Sequence, residues 1–325
     1  MPEWLQYAFM QRALLAALLV GLAAPAVGTY LVQRRMALMG DGIGHVALTG
    51  VALGFLVGTA PVGTAVIVAV LGAIAIEYVR SRGKASGDVA LALLFYGGIA
   101  TGVLLISLST SGTSATLITY LFGSLTSTSG GDLVVIAALA TVVLTVTLGL
   151  RRQLFAVCQD EEHARVAGLP VARLNMLLAV MAAVTVAIAM RVVGSLLISA
   201  LMVVPVATVQ QLTRGFAATL YSALGVGVAV SLVGVVASYY LDTPSGPSIV
   251  VLAILLFVVV DVLGRYLLRA LRPGVERGAL CPSRTRHCGR PGSGPRCPPS
   301  SPRWTTSAPP RSCTTSCASA GSRWA

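Results

Sequence analysis

Charged side chains make up only 10% of the 325 residues, whereas a soluble domain carries about 25%. With 56% hydrophobic residues and a mean hydropathy of +0.85, the chain lacks the polar surface a water-soluble globule of this length needs. It also lacks strict apolar/polar alternation, which excludes a membrane β-barrel. No G-x-x-x-x-G-K-[ST] phosphate loop occurs, so ATP hydrolysis by that machinery is excluded. Only one histidine, His45, lies in the apolar body, and no Ser/His/Asp or Cys/His set stands where catalysis could use it. Cysteine is equally scarce there. Cys158 is alone in the body, while Cys281, Cys288, Cys297, Cys313 and Cys317 fall in the last fifty residues at spacings that match no zinc template. Neither a disulfide framework nor an enzyme is the expectation.

What is present is a series of apolar runs. A helical crossing of a ~30 Å hydrocarbon core takes about 20 residues. Nine runs meet or approach that length: Ala13–Val32, Met36–Val57, Val62–Val79, Val89–Leu108, Leu133–Leu150, Leu174–Met190, Ser195–Leu212, Ala217–Tyr240 and Ser248–Leu268. The first is read as a span and not as a signal peptide, since no soluble mature domain follows it. A tenth piece, Ala115–Phe122, is too short to cross and reads as interfacial or re-entrant. The fold class expected is an all-α polytopic membrane protein with about eight or nine transmembrane helices.

Connections alternate in charge. Arg34 and Arg35; Arg80, Arg82 and Lys84; Arg151 to Arg173; Arg214; and Arg265 onward are basic, whereas Gly58–Pro61, Ser109–Ser114 and Leu241–Pro247 hold no Lys or Arg. Basic loops stay in the cytoplasm, so the N-terminus is expected outside and the C-terminus inside. Arg191 is the exception, on the expected outer side. The net charge of +12 does not indicate nucleic acid, because seven of those charges come from eight arginines and one glutamate after Gly274. Residues 274–325 are rich in Arg, Pro, Ser and Cys without an apolar face, and such a composition is expected to be disordered. The abrupt change has the look of an out-of-frame reading of a GC-rich gene, which an intact frame across strains would refute. The expected organisation is a transmembrane domain over 1–273 and this tail over 274–325.

The chemistry concentrates in QRRMALMGDGIGHVALTGVALG, Gln33 to Gly54. Asp41 and His45 stand at i and i+4, on one face of a helix. An ionisable group at membrane depth is costly and marks function by default. A carboxylate and an imidazole one turn apart make half of a site for a first-row metal ion. The same spacing also suits a structural hydrogen bond. Gly40, Gly42 and Gly44 would let a neighbour approach closely, or would mark a helix break. Glycines elsewhere in the spans read as packing positions.

The string RRMALMGDGIGHVALTGVALG resembles the signature of the permease subunits of zinc and manganese ABC importers, in which a basic pair precedes G-D-x-x-x-H. Three further stretches are similar to that family in its order: QDEEHARVAGLPVARL (Gln159–Leu174), GSLLISALMVVPVATVQQLTRGF (Gly194–Phe216) and LDTPSGPSIVVLAILLF (Leu241–Phe257). Gly42 and Gly44 depart from the expected alanine and serine. The resemblance covers most of Ala8 to Leu271. It implies a fold like that of the vitamin B12 and metal-chelate permeases, working by alternating access in a bacterial cytoplasmic membrane. It further implies cytoplasmic ABC ATPase subunits, an extracytoplasmic metal-binding protein and a second permease copy as partners. Asp41 and His45 would contact the cargo, a divalent ion, with zinc and manganese ahead of iron and no permanently bound cofactor. Pro205, Gln210, Gln211 and Arg214 would couple to the ATPase.

Other polar residues have simpler readings. Glu77 is expected to pair with Arg80 or Arg82, Asp261 with Arg265, and Glu161, Glu162 and Arg165 to form a solvated helix start. Two other functions remain open on the sequence: an ABC permease for metal chelates such as siderophores, and an ion-coupled secondary transporter. The absence of a defensible internal repeat disfavours the latter.

Overall fold

A computed structural model describes residues 7–59, 61–81, 87–108, 121–123, 130–195 and 197–270. All regular structure among them is helical. In chain order the helices are α1 (Ala8–Gln33), α2 (Met39–Val57), α3 (Pro61–Ser81), α4 (Gly87–Leu108), α5 (Gly130–Gly149), α6 (Arg151–Gln159), α7 (Glu161–Val166), α8 (Val171–Ala189), α9 (Ile198–Gln210), α10 (Phe216–Leu241) and α11 (Ser245–Ala270). Helices satisfy every backbone group internally, which is what a hydrocarbon surrounding demands. Seven are long and apolar enough to cross a membrane: α1, α2, α3, α5, α8, α10 and the Ser245–Gly264 part of α11. Two shorter apolar helices, Leu91–Leu105 within α4 and Ile198–Gln210, bring the candidates to the nine apolar runs of the sequence.

Helix α1 is the central post, packed by α10, α9, α5 and α8. About half of its buried residues are small: Ala13, Ala16, Ala17, Gly21, Ala23, Ala24, Ala26 and Gly28. Small residues let backbones meet where lipid supplies no hydrophobic drive between helices. Pro25 lies inside α1 and leaves the Gly21 carbonyl without its i+4 donor. That carbonyl faces Gly227 of α10, where an added Cβ would stand 2.5 Å away. The Thr29 hydroxyl donates to the Pro25 carbonyl at 2.8 Å, a second local compensation.

One end of the bundle gathers Gln33, Arg34 and Arg80 with the short helices α6 and α7. The Phe216 ring opens α10 there, 5.4 Å from Tyr30 and 4.4 Å from Phe155. The opposite end holds Gly58, Asp132, Arg191 and Asp242. This sorting places the basic loops together, as the charge alternation expects. Arg191, a cation on that opposite side, is paired with Asp132 at 2.6 Å.

The runs read as Leu174–Met190 and Ser195–Leu212 are separated by a wider gap than the sequence suggests. Helix α8 stops at Ala189 and α9 begins at Ile198. Val192 and Val193 between them are buried without being helical. Gly194 takes a φ of +94°, and its Cα lies so close to Leu121 that a Cβ would be 2.2 Å from that residue's carbonyl oxygen. Of the short Ala115–Phe122 piece, only Leu121 and Phe122 fall within the described residues, and the tail 274–325 lies outside them.

Candidate functional site

Asp41 occupies the first turn of α2 and His45 the second. The helix runs unbroken through Gly40, Gly42 and Gly44, so these glycines are points of approach and not a break. A Cβ on Gly40 would stand 3.7 Å from Ser199 of α9, on Gly42 3.2 Å from Leu94 of α4, and on Gly44 3.0 Å from the Ser195 carbonyl. Three neighbours thus close on the same two turns of α2.

His45 is 7% exposed. Its ring meets Phe95 of α4 edge-on, with centroids 4.7 Å apart at 82°. Gly98 of α4 lies against the His45 backbone, where a Cβ would be 3.0 Å away. One turn further on, the Thr49 hydroxyl donates to the Gly98 carbonyl at 2.8 Å. These contacts fix the imidazole through both helices. The His45 Nε2 to Asp41 Oδ1 distance is 4.0 Å, an ion-pair separation too long for a direct hydrogen bond. The two atoms therefore converge without being hydrogen-bonded to each other.

Asp41 opens into a cavity of about 320 Å³ whose other lining residues are Leu38, Leu91, Ala92, Phe95 and Tyr96. It supplies the only charge in an otherwise nearly apolar wall. The depth of the pair follows from packing. Gly28 lies five residues before the end of α1 and touches Met202, while Gly40 touches Ser199, one turn of α9 further out. At 1.5 Å per residue, Asp41 and His45 stand roughly 13 and 20 Å from the inner end of a helix about 39 Å long. The pair sits near the middle of the bundle, level with a helix N-terminus that begins there. Among the described residues no group of three or more His, Cys, Asp or Glu could hold a metal ion.

The other site residues expected from sequence are elsewhere. Pro205 is buried within α9, whereas Gln210, Gln211 and Arg214 are exposed at the inner end, in and beside the turn before α10. They do not touch Asp41 or His45, and reach them only along α9 through Ser199 and Met202. Glu77 pairs with Arg80 as expected, at 2.8 and 2.9 Å. The side chain of Arg265 lies outside the described residues. Glu161 starts α7 behind an Asp160 cap that accepts from the Glu162 and His163 N–H groups, but it is also bound to Arg34, Asn175 and Arg80. Nothing in the sequence signals those partners, since Arg34 and Glu161 are 127 positions apart.

The fold is that of a polytopic helical membrane protein, with the Asp41 and His45 pair packed between its helices. Residues 6–263 match the model of the ABC 3 transport family. The manganese transport system membrane protein MntC of Halalkalibacterium halodurans is 34% identical over 78% of this chain and 87% of its own length. The high-affinity zinc uptake system membrane protein ZnuB of Haemophilus influenzae is 31% identical over 76% and 94%. Among solved structures, PsaBC from Streptococcus pneumoniae in complex with Fab superposes with a TM-score of 0.73 at 30% identity, covering 82% of this chain and 96% of that one. The chain belongs to the ABC 3 transport family, as a multi-pass membrane permease subunit and not an enzyme.

Proposed function

We propose that this permease imports divalent transition metal ions, zinc or manganese before iron, using Asp41 and His45 as the transient contact in the path. The observation that carries the reading is the placement of that pair: adjacent, unbonded to each other and at mid-depth in the bundle, with Asp41 lining a cavity and His45 buried behind it. An ionisable pair so placed is costly unless a cation uses it. Carboxylate and imidazole suit zinc, manganese and ferrous iron alike. Relatives named for manganese and for zinc support the metal class without selecting within it. Two ligands hold an ion weakly enough to release it, and a second copy of the chain would bring a second Asp41 and His45 to the same ion. A metal-binding protein outside would deliver the cargo. ATPase subunits inside would dock on the exposed turn carrying Gln210, Gln211 and Arg214, with Pro205 bending the helix that leads to it.

The test is uptake of radioactive zinc and manganese into cells expressing the chain with its neighbouring ATPase. His45→Ala is expected to abolish ATP-dependent uptake while the complex still assembles; uptake equal to the parent's refutes the site. Arg214→Ala is expected to assemble too, yet to lose the stimulation of ATP hydrolysis by metal-loaded binding protein. Full stimulation in that variant would remove the turn from the coupling path.

A further inference from the structure

Glu161 collects partners from three separate helical elements on one carboxylate oxygen. Its Oε1 accepts from the Arg34 guanidinium at the C-terminal cap of α1 and from Asn175 Nδ2 of α8 at 3.1 Å. Arg80 Nη2 of α3 is 3.8 Å away, itself gripped by Glu77. Beside it, Gln33 Nε2 donates to Gln159 Oε1 at 3.0 Å, joining the end of α1 to the end of α6. The Arg34 side chain is 6% exposed and that of Glu161 38%. A guanidinium so buried depends on its carboxylate, because an unpaired charge there is strongly destabilising. Burial, and then the nearby Arg80 charge, weaken the hold of Arg34 on its proton, which makes that dependence sharper.

Arg34 is not on a loose tether. The Arg34 N–H bonds to the Tyr30 carbonyl at 3.1 Å, Arg35 to Val32 at 3.0 Å and Met36 to Leu31 at 2.9 Å. Arg35 takes the left-handed conformation, with φ of 58°, that closes such a cap. Met39 then bonds to Met36 at 3.0 Å and Gly42 to Leu38 at 3.2 Å. The connection from α1 into the first turn of α2 is thus braced by backbone hydrogen bonds, and Asp41 follows Arg34 by seven residues. A force applied to α7 passes through Glu161 to Arg34 and along a stiff turn to α2.

We infer that Glu161 is a positioning residue for transport, linking the cytoplasmic helices α6 and α7 through Arg34 to the helix that carries Asp41 and His45. The inference rests on the transport reading above and adds to it a route that the turn at Arg214 does not use.

The experiment uses the full chain with its ATPase and binding protein in proteoliposomes, and measures metal imported per ATP hydrolysed. Glu161→Gln is expected to lower that ratio about tenfold, within the usual range for coupling between two sites, with ATP hydrolysis near the parent's. Glu161→Asp, which keeps the charge, is expected to recover most of it. A second readout needs no metal transport. A cysteine at Leu38, 70% exposed and lining the Asp41 cavity, is labelled with a thiol reagent in a background whose tail cysteines are serine. Cys158 interferes little, since burial pushes its thiol up to about 11 and keeps it protonated. Labelling is expected to change with a non-hydrolysable ATP analogue in the parent and to stop responding in Glu161→Gln. A parental ratio in Glu161→Gln, a proportional fall in both activities, or a parental labelling response overturns the inference. If the Gln variant does not assemble, Arg34→Lys, which keeps the charge and loses the fork, takes its place under the same expectations. A parent chain that imports no metal defeats the transport reading, and the Leu38 response then decides the Glu161 link separately.

Discussion

At residue 28 a single added methyl would stand 2.0 Å from the Met202 carbonyl oxygen and 2.8 Å from its carbon. Those are backbone atoms in α9, so the clash cannot be relieved by turning a side chain. Gly28→Ala is therefore expected to destabilise the chain by about 1–3 kcal/mol, the usual cost of overpacking. Gly63→Ala, where nothing lies within 4 Å of the new carbon, should leave stability unchanged or raise it. Thermal unfolding of the two variants in the same detergent checks this, and equal melting temperatures would disprove the close contact. The sequence marks Gly28 as a packing position without naming its neighbour, because the contact depends on a helix about 170 positions away. Asp41 and His45 were legible for the opposite reason. Their relation is set by helical pitch within a single turn, whereas Arg34–Glu161 and Asp132–Arg191 join residues 127 and 59 positions apart.

At the scale of the element, apolar length foretold where helices lie better than where they stop. Runs of about 20 apolar residues found α1, α2, α3, α5, α8, α10 and α11, since each must satisfy its own backbone. The stretch between α8 and α9 reads as equally apolar, yet Arg191 to Ser195 is not helical. Its backbone is buried against Leu121, Phe122 and Gly246, and the Ser245 hydroxyl donates to the Val192 carbonyl at 3.4 Å. Irregular backbone is tolerated at membrane depth only where protein surrounds it, and composition does not reveal that enclosure. The glycines of α2 posed a related ambiguity. Gly40, Gly42 and Gly44 suit a break as well as a packing seam, and contacts with α9, α4 and Ser195 on successive faces resolve it in favour of the seam. The consequence is functional, since an unbroken α2 holds Asp41 and His45 one turn apart.

At the scale of the whole molecule, the proposed metal site would be half a site. Asp41 reaches the cavity with its side chain 26% exposed, and the described residues of one chain add no third acidic, histidine or cysteine ligand. A first-row ion prefers four or more donors. The economical completion is a two-fold arrangement, in which the same surface patch of two copies faces itself and each copy offers its own pair. The two Asp41 carboxylates would then share one ion. Carboxylate oxygens bind such ions at about 2 Å, so the two side chains would come within about 4–5 Å of each other. Each carboxylate oxygen stands a side chain's length from its Cα, so the two Cα atoms lie beyond the ~4.4–6.8 Å that a direct disulfide spans, and cysteines placed there need a short thiol-to-thiol crosslinker to join them. An Asp41→Cys chain whose other cysteines are serine is thus expected to form a covalent dimer with such a crosslinker in membranes. The same substitution at Ile67, an exposed residue of α3, should not. Dimer at both positions would signify random collision. Monomer at Asp41 would mean that the ion draws its remaining ligands from water or from another chain, and that the two cavities work separately.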